Sequence, residues 1–379
     1  MFGLKSLFRQ WRELRGPGAM PRRPLKAVQV EVTTRCNFSC KMCPGCSGEA
    51  VQRDMEWSTY LNLAEDFAMA ELVYLQGWGE PLLHPKILDM VGLAKSKGCQ
   101  VGFTTNGSFL HRELISRLVE KGIDFVTVSF AGATAATHEG IRKGSKYDGL
   151  VANVNRLVEL RQLAGLNRPK ITFSYLMMEA NLPELSQAVE LAHRLGCDEM
   201  VATNLDFPAN AAQEKNRIFD WGPAPPDRLA EVKSAVARAK ALGLNLRVYP
   251  LELEEEVLVC ELDPVRQLFV SVDGDIAPCV YASIAGRQEV LRFFRGQERL
   301  VARTVFGNVN QDRLKAIWET ESYLNFRGIF KQRLALYSQM MGEAVARRDL
   351  RQLERSWEGL FSGCPLPPGC DCCYKAYNA

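Results

Sequence analysis

Between residues 28 and 203 the hydrophobic pattern alternates between two periods. Short β-branched and apolar runs at 28–32, 72–76, 100–105, 124–130, 170–177 and 198–203 read as strands. Longer stretches with apolar positions every three or four residues, at 58–70, 86–97, 110–121, 149–163 and 182–195, read as helices between them. Gly98, Gly122 and Gly196 stand just past three of these helices, where a left-handed residue ends a helix. Six such strand–helix units predict a parallel sheet with helices outside it. They are fewer than the eight of a closed barrel, so an open, partial (β/α)6 barrel is expected. Its chemistry should then sit at the C-terminal ends of the strands.

The rhythm then fails. Residues 207–226, rich in Pro, Ala and Asn, read as a linker, and a helix over 228–242 and a strand over 246–250 follow. Extended runs at 267–272 and 275–280 flank Asp273-Gly274, a hairpin signal. Residues 282–303 look like an insertion, and 310–360 is a long, highly charged helical stretch. The expected organisation is an amphipathic segment over 1–24, an α/β partial barrel over 25–205, a linker with helix and strand over 206–250, and a C-terminal α+β domain over 251–379.

Composition narrows the class. A chain of 379 residues, 47% apolar and 24% charged, has room for two or three domains and a sizeable core. A formal charge of +3 is too near balance to argue for nucleic acid. No run approaches the ~18 apolar residues of a spanning helix. Residues 2–15 mix apolar and basic side chains at helical spacing without the continuous apolar core of a cleavable signal. They read as a helix docked on the protein's own surface, or as a weak membrane-surface contact.

The cysteines break this plain picture. Of the twelve, only Cys99 and Cys197 stand alone. Cys36, Cys40, Cys43 and Cys46 crowd one end of the chain, Cys364, Cys370, Cys372 and Cys373 the other, and Cys260 and Cys279 lie between. In a cytoplasmic chain such clustering favours metal over disulfides. Cys36, Cys40 and Cys43 fall on the loop after the first strand, at the mouth of the expected barrel. Soft thiolates select zinc, copper(I) or iron–sulfur clusters, and zinc wants four ligands from paired units. Three thiolates on one short loop can wrap a cluster and leave one iron open for chemistry.

The spacing C-x3-C-x2-C on that loop resembles the radical S-adenosylmethionine (SAM) superfamily. The resemblance continues in chain order. Gly77-Trp78-Gly79-Glu80-Pro81, after the second strand, looks like the family's G-G-E-P motif with Trp78 at its second glycine. Its backbone and Glu80 would hold the SAM amino group. Thr104-Thr105-Asn106-Gly107 is similar to the family's T-N-G turn. Ser129 and Arg142 match positions that contact the SAM ribose and carboxylate. Met42 and the strand ending near Met177 match those that flank adenine. Signs agree with these roles, since Arg142 and Glu80 complement the two ends of an amino-acid zwitterion. Gly77 and Gly79 would let backbone approach the ligand without a Cβ. Cys46 reads as a bystander.

Cys260 and Cys279 bracket the hairpin in a pattern that resembles the opening of the SPASM and twitch domains, which hold auxiliary clusters in this superfamily. Cys370 and Cys373 form a C-x2-C pair. Six cysteines after residue 250 cannot supply the seven ligands of a full SPASM domain. The resemblance therefore implies the twitch version, with one cluster on Cys260, Cys279, Cys370 and Cys373. Cys364 or Cys372 could replace a tail ligand, and a structural zinc on the same residues is the competing reading.

The family's chemistry would follow. A reductase such as flavodoxin or ferredoxin reduces the first of two 4Fe–4S clusters, SAM is cleaved to a 5′-deoxyadenosyl radical, and that radical takes hydrogen from a C–H bond. The auxiliary cluster would accept the substrate's electron, giving oxidation or a cross-link. The substrate is a peptide, small molecule or lipid. No peptide-binding helical domain is evident before residue 25, which disfavours a leader-dependent peptide maturase. A non-catalytic iron–sulfur carrier or scaffold is the rival function.

Overall fold

A computed structural model of the chain describes residues 23–46, 51–253, 256–347 and 361–379. The amphipathic stretch 2–15 lies outside the described residues, as does the side chain of Cys46.

Six parallel strands form in the expected order: β1 (Leu25–Val30), β2 (Ala70–Leu75), β3 (Gln100–Thr105), β4 (Phe125–Phe130), β5 (Lys170–Met177) and β6 (Glu199–Asn204). Helices cross between them: α1 (Trp57–Ala64), α2 (Ile87–Ser96), α3 (Arg112–Glu120), α4 (Ala135–Ile141), α5 (Tyr147–Leu163) and α6 (Leu185–Arg194). Gly98, Gly122 and Gly196 have φ of +76°, +75° and +73°, the left-handed conformation that stops a helix. Strand alternation divides the side chains. In β5, Ile171, Phe173, Tyr175 and Met177 enter the core under the helices, while Thr172, Ser174 and Leu176 line the concave side. Likewise Val126, Val128 and Phe130 of β4 are core, and Thr127 and Ser129 line the cleft.

The sheet continues beyond these six strands. The helix and strand expected within 206–250 extend the sheet. After a short helix α7 (Ala211–Lys215), α8 (Pro226–Leu242) packs on α6, and β7 (Asn245–Val248) adds a parallel strand beside β6. At the opposite edge, β8 (Gln267–Val270) pairs parallel with β1. β9 (Asp275–Ala277) closes the expected hairpin around Gly274 and pairs antiparallel with β8.

The presumed insertion is itself a hairpin, β10 (Glu289–Phe294) with β11 (Gln297–Ala302), turned at Arg295 and Gly296. β12 (Gly307–Asn308), α9 (Leu314–Trp318) and α10 (Glu321–Arg347) follow. The resulting sheet has ten strands in the order β12-β9-β8-β1-β2-β3-β4-β5-β6-β7, and its two ends do not meet, so the barrel is open. The C-terminal hairpin thus covers the free edge of β1, which would otherwise expose unpaired backbone groups.

Candidate active site and auxiliary metal site

The C-terminal ends of the strands surround a cleft of about 700 Å³. Its walls include Cys36, Cys40, Cys43, Glu80, Ser129 and Arg142. The cysteine loop is clamped from both sides. Cys40 pairs with Arg142 in a short antiparallel bridge, Lys41 N donates to Ile141 O at 3.0 Å, and Gln213 Nε2 donates to Lys41 O at 2.9 Å. Met42 is buried beside Phe38 and Leu205 and borders the cleft.

The motif loops interlock beneath the cysteines. A Cβ on Gly77 would lie 2.3 Å from Glu31 Cγ, and one on Gly79 would lie 2.2 Å from Thr33 O and 2.7 Å from Arg35 O. Glycine at 77 and 79 is therefore demanded by close packing on the segment that leads into Cys36. This differs from the expected reason, access for a ligand. Glu31, which sequence reasoning missed, accepts from Trp78 N at 2.9 Å; burial pushes its carboxyl up to about 7. Glu80 N donates to Arg35 O at 2.8 Å.

Glu80 is buried, and its carboxylate accepts from Thr105 Oγ1 at 2.8 Å, Asn106 N at 2.7 Å and Leu82 N at 3.1 Å. Burial pushes it up to about 7, although these hydrogen bonds and Arg142 favour the charged form. Asn106 Nδ2 in turn donates to Asn37 Oδ1 at 2.9 Å. Glu80, Thr105 and Asn106 thus tie the ends of β2 and β3 to the cysteine loop. His84, four residues beyond Glu80, accepts from Lys86 N at 3.1 Å and donates through Nε2 to Met55 O at 3.0 Å, ordering the loop after Glu80.

Arg142 borders the cleft with Nη1 4.0 Å from Cys40 Sγ. Its Nε is buried without a hydrogen-bond partner among the described residues, a donor left over for an anion. His138 supports this segment. Its Nδ1 accepts from Ala131 N at 3.2 Å, so Nε2 carries the proton toward Ser145 Oγ at 3.0 Å. Burial, then the Arg142 charge, pushes His138 down to about 3, so it stays neutral. Met177 is a correction. Its side chain lies in the helix-facing core, because alternation along β5 turns Leu176 to the cleft instead.

In the C-terminal part of the chain, Cys260, Cys279, Cys370 and Cys373 line one cavity, walled by apolar side chains such as Pro278, Val301, Phe326 and Phe330. Burial pushes all four thiols up, and Arg292 pulls Cys279, Cys370 and Cys373 back down. Cys364 and Cys372 are not in this lining. Cys364 Sγ lies 3.6 Å from Ile329 O, and Cys372 Sγ 3.8 Å from Gly369 O. Among the described residues no three His, Cys, Asp or Glu side chains converge tightly enough to hold one metal ion. All four thiols border the same apolar-walled space, a donor set that can close every iron of a multi-iron cluster.

The two sites share a wall. Tyr281, two residues past Cys279, borders both the cleft and the four-thiol cavity. Its ring stacks on Phe207 at 4.9 Å, and Trp78 packs against both rings. Tyr281 OH donates to Asp206 Oδ1 at 3.0 Å, and Asp206 pairs with the buried Lys375 at 2.5 Å. Burial works against the Lys375 ammonium, but Asp206 and Glu261 outweigh it and hold it well above the usual lysine range. Apart from Trp78, which stands in the motif at 77–81, none of these residues carries a spacing signal in the sequence.

The Radical SAM superfamily model matches residues 30–192, and that of the SPASM iron–sulfur cluster-binding domain matches residues 260–341. The chain belongs to the radical SAM superfamily. This radical SAM enzyme is 29% identical to a tungsten-containing aldehyde ferredoxin oxidoreductase cofactor-modifying protein of Pyrococcus furiosus, over 82% of this chain and 85% of that one. It is 25% identical to mycofactocin maturase MftC of Mycolicibacterium smegmatis, over 66% of this chain and 63% of that one. It is 28% identical to a PqqA peptide cyclase of Streptomyces rochei, over 66% of this chain and 68% of that one. Its fold is shared with SAM-bound Streptococcus suis SuiB at a TM-score of 0.59 and 13% identity, covering 85% of this chain and 72% of SuiB.

Its cofactors are SAM and two 4Fe–4S clusters. The donor sets fit them: three thiols beside an open cleft with an orphaned guanidinium N–H, and four thiols bordering one apolar-walled space.

Proposed function

We propose that Cys36, Cys40 and Cys43 hold the SAM-binding cluster, and that Cys260, Cys279, Cys370 and Cys373 hold the auxiliary cluster. The substrate, a peptide or small molecule, would lie in the cleft between them and be oxidised or cross-linked there. The observation that carries this reading is the shared wall at Tyr281, which brings the four-thiol cavity to the cleft of the cysteine loop. When bound, the reduced cluster and SAM supply a primary carbon radical able to take hydrogen from an unactivated C–H bond.

The chain's own residues bind and orient. Arg142 offers its unpartnered N–H to the SAM carboxylate, and the 77–80 loop, fixed by Glu31 and Arg35, faces the amino group. Ser129 supplies a hydroxyl for the ribose, while Met42 and Leu176 wall the base. Thr127, Thr172, Ser174 and Thr203 give the cleft a row of hydroxyls suited to peptide amides, and Trp78, Phe207 and Tyr281 exclude water at its auxiliary end. Relatives named as a peptide cyclase and a maturase support a peptide over a lipid. A flavodoxin or ferredoxin in the cytoplasm would supply electrons. Among the described residues no helix is long and apolar enough to cross a membrane.

The test is anaerobic reconstitution with iron and sulfide, followed by dithionite and SAM. 5′-Deoxyadenosine should form; none from a fully iron-loaded sample contradicts the reading and leaves a carrier or scaffold.

A further inference from the structure

The hairpin of β10 and β11 brings a charge into the C-terminal site. Arg292, in the middle of β10, is only 5% exposed and lines the cavity with the four cysteines. Burying a guanidinium costs free energy unless an anion or a full set of acceptors meets it. Nη1 donates to the carbonyl of Gly369 and Nη2 to that of Tyr281, and the ring of Phe207 lies 5.4 Å away. Its Nε is buried without a hydrogen-bond partner among the described residues. No carboxylate among the described residues forms an ion pair with it. Lys375 borders the same cavity, but its ammonium is already matched by Asp206 and Glu261.

Arg292 is therefore a buried cation with no counter-charge among the described residues. The cavity it faces collects four thiols, each of which contributes a negative charge as an iron ligand. Its two carbonyl partners belong to the segments that carry Cys279 and Cys370, so one side chain also joins two ligand-bearing loops.

We propose that Arg292 is a positioning residue for the auxiliary cluster, a fixed cation that raises that cluster's reduction potential. This rests on the cluster assignment above. One-electron reduction adds negative charge to the cluster, and a nearby cation held in low dielectric stabilises the reduced form more than the oxidised one. An N–H donated to cluster sulfur acts in the same direction.

The test uses full-length protein carrying Cys36→Ala, Cys40→Ala and Cys43→Ala, which leaves iron at the C-terminal site alone. Its midpoint is read by anaerobic redox titration followed by electron paramagnetic resonance. Arg292→Gln should keep its iron and shift the midpoint to more negative potential, while Arg292→Lys should stay nearer the parent. If the glutamine variant loses iron, the lysine variant decides, and retained iron at the parental midpoint supports the inference. An unchanged midpoint in iron-loaded Arg292→Gln overturns it. So does loss of iron from both variants with an unaltered circular dichroism spectrum, which makes the residue a clamp only. A parent protein with no C-terminal iron overturns the cluster assignment and this inference together, and is read before any Arg292 variant is made.

Discussion

The two cysteine sites are built in opposite ways. Cys36, Cys40 and Cys43 lie within eight residues on one loop, and the loops after β2, β3 and α4 lock around them. The C-terminal set draws its four donors from residues 260 to 373 and depends on helix α10 to bring them together. Arg333 of α10 is completely buried. It donates to Leu258 O at 3.1 Å, Val257 O at 2.9 Å and Cys364 O at 2.9 Å, stapling the approach to Cys260 to the tail. One site is encoded by local spacing and the other by tertiary packing. The first should tolerate damage to the C-terminal half, and the second should be lost when long-range ties are cut.

The largest effect should come from the donors themselves. Cys36→Ala should reduce 5′-deoxyadenosine formation to the level of iron-free protein. Cys279→Ala should keep SAM cleavage while losing C-terminal iron, read by iron and sulfide analysis. Arg333→Ala should follow, leaving Glu256 and three carbonyls without their buried partner. Removing one side of such a network costs about 3–5 kcal/mol. Iron should be lost from the C-terminal site and retained at the N-terminal one; equal loss from both would erase the contrast.

The reverse case is Gly79→Ala, whose Cβ would sit 2.2 Å from a backbone carbonyl. Overpacking of this kind costs about 3 kcal/mol at the upper end of its usual range. SAM binding, measured by calorimetry on iron-loaded protein, should weaken with C-terminal iron unchanged.

The smallest effect is a pH dependence. Burial raises Glu31 and Glu80 to about 7, so between the ordinary carboxyl range and that value the folded protein holds protons the unfolded chain has released. Stability is then greatest in acid and falls as pH rises, by about 2 kcal/mol per carboxyl between about pH 5 and 7. Glu31 also accepts from Val272 N at 3.4 Å and so touches both regions. Glu31→Gln should remove about half of that slope in denaturant unfolding.

Much of this was legible in the chain. The six strands formed where the alternation placed them, and strand β5 spans 170–177 as expected. Alternation in that same strand, with Thr172, Ser174 and Leu176 on one face, separates Leu176 from Met177, a distinction that the motif position alone does not make. The strand expected over 246–250 forms as β7, but its place in the sheet is not legible, because 206–226 interrupts the strand–helix rhythm before it. The role of Arg292 had no local signal either, because a lone arginine in an amphipathic hairpin looks like a solvated face until tertiary packing buries it.

The most direct test pairs two full-length proteins under anaerobic reduction. One lacks Cys36, Cys40 and Cys43, and the other lacks Cys260, Cys279, Cys370 and Cys373, each replaced by alanine. Electron paramagnetic resonance should show a reduced 4Fe–4S signal in both. Added SAM should change the signal only where the N-terminal three cysteines remain. A SAM-sensitive signal from the protein that lacks those three, or no signal from the one that keeps them, would contradict the account.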